Sequence, residues 1–181
     1  MGSVKLIGRI GRGRYGLISR MAKPKPIPDL SVEDTYAEAA AKIVSVRASE
    51  LRLNAEGVLD MGDIERVHDM RVATRRLRAA LEIFEPCFPA QPYRQALDEV
   101  KRLADALGER RDRDVAISAL HVFNDQMPGP DRRGVASLID RYRDEQEKAN
   151  VGLAPLVEQQ MLTGLEQSLD ELIAAVREVP A

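Results

Sequence analysis

Tyr93, Ala96, Leu97, Val100, Leu103, Ala104 and Leu107 recur every three or four positions, which puts them on one side of an α-helix but on both sides of a strand. The same periodicity returns in Met70, Ala73, Leu77, Ala80, Leu81 and Phe84, and again in Leu162, Leu165, Leu169, Leu172, Ile173 and Val176. No stretch alternates like a half-buried strand, and no Asn-Gly hairpin turn occurs. Aromatic residues make up only 4% of the chain and tryptophan is absent, while helix formers are plentiful. The fold class these features allow is all-α.

Punctuation divides the chain into about six helices. Ser31, with Asp34 three positions on, reads as the cap of a first helix over roughly 33–55, and Gly57 is placed to end it. A second runs from about 62 to 85 and stops at Pro86. Pro92 suits the first turn of a third, which the pattern carries up to Gly108. A fourth spans about 111–126, before MPGPD. The fifth carries Val135, Leu138, Ile139, Tyr142 and Ala149 before Pro155, and the sixth is the leucine run after it. Short links between such helices imply antiparallel neighbours around a four-helix-bundle-like core. A chain of 181 residues can bury such a core without disulfide or metal. The single cysteine, Cys87, excludes an internal disulfide and a multi-cysteine zinc site, and its setting in EPCFPA suits a packed thiol.

Charge is distributed unevenly. Residues 1–30 carry seven Lys or Arg against one Asp, with glycines before Met21 and a KPKPIP run after it, and read as a flexible basic tail preceding a domain over 31–181. Met21 is an alternative start. Because the whole chain has a net charge of −2, the domain without this tail stands at about −8. Within that acidic body, Arg66, His68, Arg71, Arg75, Arg76 and Arg78 crowd one helical segment. With His68 at zero and about 100° per residue, Arg71, Arg75 and Arg78 fall near 300°, 340° and 280°, opposite the apolar stripe. Like charges one turn apart repel by a few tenths of a kcal/mol, so the row favours an anionic partner or nearby carboxylates. Asp63, Glu65, Asp69, Glu82 and Glu85 are such carboxylates, and a plain solvated face is the competing explanation. Arginine suits phosphate because its planar fork holds two oxygens and stays charged. An acidic body steers a polyanion poorly, so binding depends on short-range contacts in the patch.

The residues VHDMRVATRRLRAALEIFEP, followed by LGERRDRDVAISAL and preceded by ELRLNAEGV, resemble the CHAD domain, a conserved-histidine α-helical family. The H-x-x-R-V-x-x-R-R-L-R string carries most of the resemblance, which covers roughly 33–178. It implies a helical bundle that binds inorganic polyphosphate through a basic surface and is not an enzyme. Matched position by position, the family's basic helix falls on His68, Arg71, Arg75, Arg76 and Arg78. Its R-D-x-D-V element falls on Arg111, Asp112, Asp114 and Val115, for which a structural role, orienting arginines of the neighbouring helix, is expected. Arg111 is also expected among the polyphosphate-binding residues, and Arg47 and Lys101 are expected to widen the patch, as are Lys42 and Arg102. The resemblance also implies that this chain corresponds to one of two helical halves in the family's usual chain, since no second H-x-x-R string follows. A homodimer is one way to restore the other half.

Other chemistry finds little support. His68 and His121 are the only histidines, so a metal site would need carboxylates such as Asp69 or Asp112; no metal and no cofactor is expected. A histidine among arginines is better suited to donate hydrogen bonds to phosphate, with anion affinity rising as pH falls through its titration range. There is no P-loop, G-x-S-x-G or HExxH, and GRIGRGRYG has no strand before it. Nucleic acid is the alternative polyanion, disfavoured because no aromatic residues interleave the basic ones to stack bases. A scaffold with no polyanion ligand is the third reading. No apolar run is long enough to span a membrane, and a cytoplasmic location, with association to polyphosphate-containing granules, is the expectation.

Overall fold

The structure is a computed structural model and describes residues 23–177. Among these residues it contains five α-helices and no strands: α1 (Tyr36–Leu53), α2 (Ile64–Ile83), α3 (Ala90–Gln126), α4 (Arg132–Val157) and α5 (Gln159–Arg177), with a single 3₁₀ turn, Glu85–Cys87, between α2 and α3. The all-α reading stands, and the count of about six is corrected to five. Residues 92–108 and 111–126, taken as two helices, are one helix of 37 residues, about 55 Å long. Gly108 does not end it. A glycine inside a helix costs about 1 kcal/mol relative to alanine. The burial of Leu103 and Leu107 just before it offsets that cost, and Gly57, not Gly108, is the glycine with positive φ. A similar correction applies to Pro155, which lies inside α4 rather than beyond it, with the helix running two residues further to Val157.

The first helix also begins later than the Ser31 signal suggests. Ser31 and Asp34 form a local turn, with Ser31 N donating to Asp34 Oδ2 at 3.0 Å. The capping box is Thr35–Glu38, where each side chain accepts from the other's backbone N–H. Asp63 caps α2 by accepting from Glu65 N at 3.3 Å. Part of the basic tail is tied down: Lys25 N donates to Glu50 Oε1 at 2.5 Å, and Lys42 Nζ donates to Asp29 O at 2.6 Å. Residues 1–22, including Met21, lie outside the described residues.

α1 packs between α2 and α5, while α3 contacts α2, α4 and α5. The helical stripes foreseen on α2, α3 and α5 meet in one apolar cluster, joined from α1 by Ala40, Ala41, Val44 and Leu51. Cys87 packs half-buried against this cluster, and burial pushes its thiol up, as a packed thiol requires. α4 enters the cluster only near its end, with Leu153 buried and Leu156 and Val157 packed against it.

Candidate functional site

Burial of Met70, Ala73, Leu77, Ala80 and Leu81 fixes the rotation of α2 and holds Arg71, Arg75 and Arg78 at the helix edge. Three contacts identify that edge as the seam with α3. Arg111 Nη1 donates to Ile64 O at 3.0 Å, a Cβ placed on Gly108 would lie 3.9 Å from Arg71 Nε, and Asp105 strengthens the charge of Arg78. The order along α3 is reversed relative to α2, so the two helices are antiparallel. Lys101 precedes Asp105 by one turn and Gly108 by two, and therefore shares the seam.

Within the seam the cations differ in what holds them. Arg78 Nε donates to Glu82 Oε1 at 2.8 Å, and this bond, with the carboxylate's charge, raises the guanidinium's affinity for its proton. Both partners are solvent-exposed, so the pair contributes little to stability. Arg111 is only 14% exposed and lies 3.6 Å from Glu65 Oε1, besides its bond to Ile64 O. It therefore clamps the start of α2 to α3. The R-D-x-D-V element, expected to begin a helix and orient arginines of the neighbouring one, lies instead inside α3. Arg71 and Arg75 have no hydrogen bond or ion pair among the described residues; Arg75 is exposed and Arg71 half-buried. His68, half-buried, stands one turn before Arg71 on the same edge and interacts with neighbouring groups of the chain.

Other sequence candidates lie elsewhere. Arg76 follows Arg75 by one residue, and the 100° step carries it to the other flank of α2. Arg47, on α1, is engaged: its Nη1 is 2.7 Å from Glu50 Oε2 and donates to Lys25 O at 3.3 Å. It anchors the segment before α1 rather than joining the row. Lys42 is bound by Asp34 at 2.6 Å, and Arg102 faces Leu156, Met161 and Leu165 toward α5.

Two of the acids named in the sequence have burial that spacing does not assign, and Arg110 is not singled out by it at all. Arg110 and Asp114 are fully buried and hydrogen-bonded to each other, and Gln146 of α4 donates to Asp114 Oδ1 at 2.6 Å. Burial pushes the Asp114 carboxyl up and the Arg110 guanidinium down, each opposed by its partner's charge. The signal was available, because Leu103, Leu107, Arg110 and Asp114 continue one apolar stripe at helical spacing. On α2, Asp69 Oδ1 is buried without a hydrogen-bond partner among the described residues, and burial raises its carboxyl above the usual range while His68 opposes the shift. No group of three His, Cys, Asp or Glu among the described residues is arranged to hold a metal ion. Nor does any helix there have the length and apolarity to cross a membrane.

A family model for the CHAD domain matches residues 42–181. Among solved structures, the crystal structure of the CHAD domain from the plant Ricinus communis is similar over 92% of this chain and 54% of its own, at 23% sequence identity and a TM-score of 0.70. The present chain thus spans about half the length of that structure, and at this identity the likeness is one of fold. No curated protein matches the chain.

Proposed function

The chain belongs to the CHAD domain family, and from that premise we propose that it binds inorganic polyphosphate without catalysing a reaction on it. The observation that supports this reading most is the pair Arg71 and Arg75, one turn apart on the α2–α3 seam and unmatched by any carboxylate among the described residues. Unmatched like charges at this spacing repel, and a ligand with repeated phosphates removes the repulsion while accepting paired hydrogen bonds. Arg78 and Lys101 extend the row in both helices, and His68 lies at its end. Arg78 joins only by exchanging Glu82 for a phosphate. Arg111 acts in support by fixing the α2–α3 spacing. Arg76 and Arg47 contribute less, being turned away or occupied.

A row on one edge of one helix is a small site, so affinity grows with the number of phosphates engaged and a second copy of the chain would enlarge it. On this reading the protein is expected in the cytoplasm, associated with polyphosphate-containing granules. Titration with polyphosphates of defined length at two salt concentrations tests the reading: long chains bind more tightly than short ones, and affinity drops steeply with salt as counterions are released. Hydrogen bonds to charged groups contribute about 1.5–3 kcal/mol each, so Arg71→Glu with Arg75→Glu weakens binding about a hundredfold or more. Equal affinity of the double variant and the wild type overturns the site. Displacement of labelled polyphosphate by an equal phosphate concentration of DNA or RNA would instead favour a nucleic-acid module.

A further inference from the structure

The cations along the α2–α3 seam do not all meet carboxylates. At Arg71 the facing residue of α3 is Gly108, which presents no side chain, and Arg71 and Arg75 have no ion pair among the described residues. Further along, Arg78 is held by Glu82 at 2.8 Å, and Asp105 of α3 adds to the negative charge around it. Beyond Arg78 come Lys101 and, seven residues before it on the same side of α3, Arg94. Tyr93 locates that end of the seam: Glu85 and Glu82 lie near it, and burial together with their charges pushes its hydroxyl up. Arg94, its exposed neighbour, is therefore level with the end of α2 and has no ion pair among the described residues. The row thus has an open half at Arg71 and Arg75, and a second half in which cations alternate with carboxylates.

We propose that Glu82 sets the length of phosphate chain that the seam holds: it keeps Arg78 from short chains, and only a chain already gripped at Arg71 and Arg75 displaces it and runs on to Lys101 and Arg94. Resting on the polyphosphate reading above, this makes Glu82 a specificity-determining residue and Arg94 a further contact. The rise along α2 from Arg71 to Arg75 is about 6 Å and from Arg71 to Arg78 about 10 Å, so a chain that spans only the first pair stops short of Glu82. An exposed pair such as Arg78 with Glu82 is weak, and a phosphate oxygen is as good an acceptor as a carboxylate, so local concentration decides the exchange. A short anion finds Arg71 and Arg75 uncontested and gains more there than by competing with Glu82. A longer chain bound at the open half presents its next phosphate to Arg78 intramolecularly, at an effective concentration far above that in solution. Glu82 is free to swing away, because its side chain is exposed. Its charge stays close by and opposes the chain that replaced it.

Calorimetric titration of the full chain with tripolyphosphate and with long-chain polyphosphate, at equal ionic strength, tests this through the ratio of the two affinities. Glu82→Gln removes the competing charge while keeping the shape of the side chain, and raises the long-to-short ratio about two- to fivefold. Arg94→Gln lowers the ratio about tenfold, the loss of one charge-assisted contact. Damage to the fold lowers both affinities together and leaves the ratio where it was. Glu147→Gln, the same change at an exposed position on α4, gives the wild-type ratio. A wild-type ratio in Glu82→Gln or in Arg94→Gln, or a ratio raised as far by Glu147→Gln, overturns the proposal. If Arg71→Glu with Arg75→Glu abolishes binding of both ligands while Glu82→Gln keeps the wild-type ratio, the arginine site stands and the role of Glu82 falls. If the wild type binds neither ligand, both fall.

Discussion

The two ends of α3 are held in place by different physics. Its first half lies in a dry cluster shared with α1, α2 and α5, where Leu77, Val100 and Leu107 are fully buried. Beyond Arg111 its second half packs on α4, and there Ile139 is buried outside that cluster while Gln146 donates to Asp114, itself bonded to the buried Arg110. Apolar packing tolerates small adjustments of rotation and register, whereas a buried, charged contact has one good geometry. The polar lock therefore fixes how α4 lies on α3, and the apolar cluster supplies most of the stability under the arginine row. For the anion site proposed above, that packed base is what would hold Arg71 and Arg75 in place.

Breaking the lock is expected to have the largest effect. Asp114→Ala leaves the Arg110 guanidinium buried and unpaired, which costs about 3–5 kcal/mol. Replacing Arg110, Asp114 and Gln146 together by Met, Leu and Leu is close to neutral, because the desolvation cost of the charges disappears with their attraction. Chemical denaturation of both variants, with hydrogen exchange to locate the loss in residues 111–150, checks this; equal destabilisation by the two would mean that the lock is not ionic. Next in size is Leu77→Ala in the proximal cluster, at about 2–5 kcal/mol from lost transfer energy and a residual cavity. Val122→Ala in the distal half, where the side chain is exposed, stays within about 0.5 kcal/mol. Comparable losses at Leu77 and Val122 would erase the contrast between the two halves.

This contrast also explains what was legible in the sequence. The stripes on α2, α3 and α5 were readable because each faces a continuous apolar cluster, so periodicity alone reports burial. The continuity of α3 across Gly108 was not, because it depends on tertiary packing overriding a local preference. Arg110 escaped notice for a related reason: a charged residue reads as exposed until its place on the buried stripe is weighed together with its partner one turn on, Asp114. In the site, the edge holding Arg71, Arg75 and Arg78 followed from helical phase, whereas the pairing of Arg78 with Glu82 and of Arg47 with Glu50 is a choice among several nearby acids that spacing does not make.

Gly108 gives a smaller and oppositely signed test. Its φ is not positive, and the nearest atom to an added Cβ is Arg71 Nε at 3.9 Å, an ordinary contact with the flexible part of a side chain. Gly108→Ala should therefore stabilise the chain by up to about 1 kcal/mol through helix propensity. A loss of stability would show that Arg71 is held against Gly108 more tightly than this distance implies.

Asp69 and Asp114 carry the comparison down to single carboxylates. Asp114 is bonded to Arg110 and Gln146, so removing its side chain leaves a buried guanidinium unpaired, although its Oδ2 is itself buried without a partner among the described residues and burial raises its carboxyl too. Asp69 has a buried oxygen with no hydrogen-bond partner among the described residues, and burial raises its carboxyl above the unfolded value of about 3.9. With the folded value the higher one, the native chain keeps a proton that the unfolded chain has released, so stability falls as pH rises through the folded value. The cost of the charge is then fully present at neutral pH and absent below about pH 4. Asp69→Asn should accordingly raise Tm slightly at pH 7 and lose that advantage as the pH falls toward 4, close to the unfolded aspartate value. A Tm difference that stays constant, or grows toward acid, would mean that Asp69 is stabilised as an anion in the folded chain.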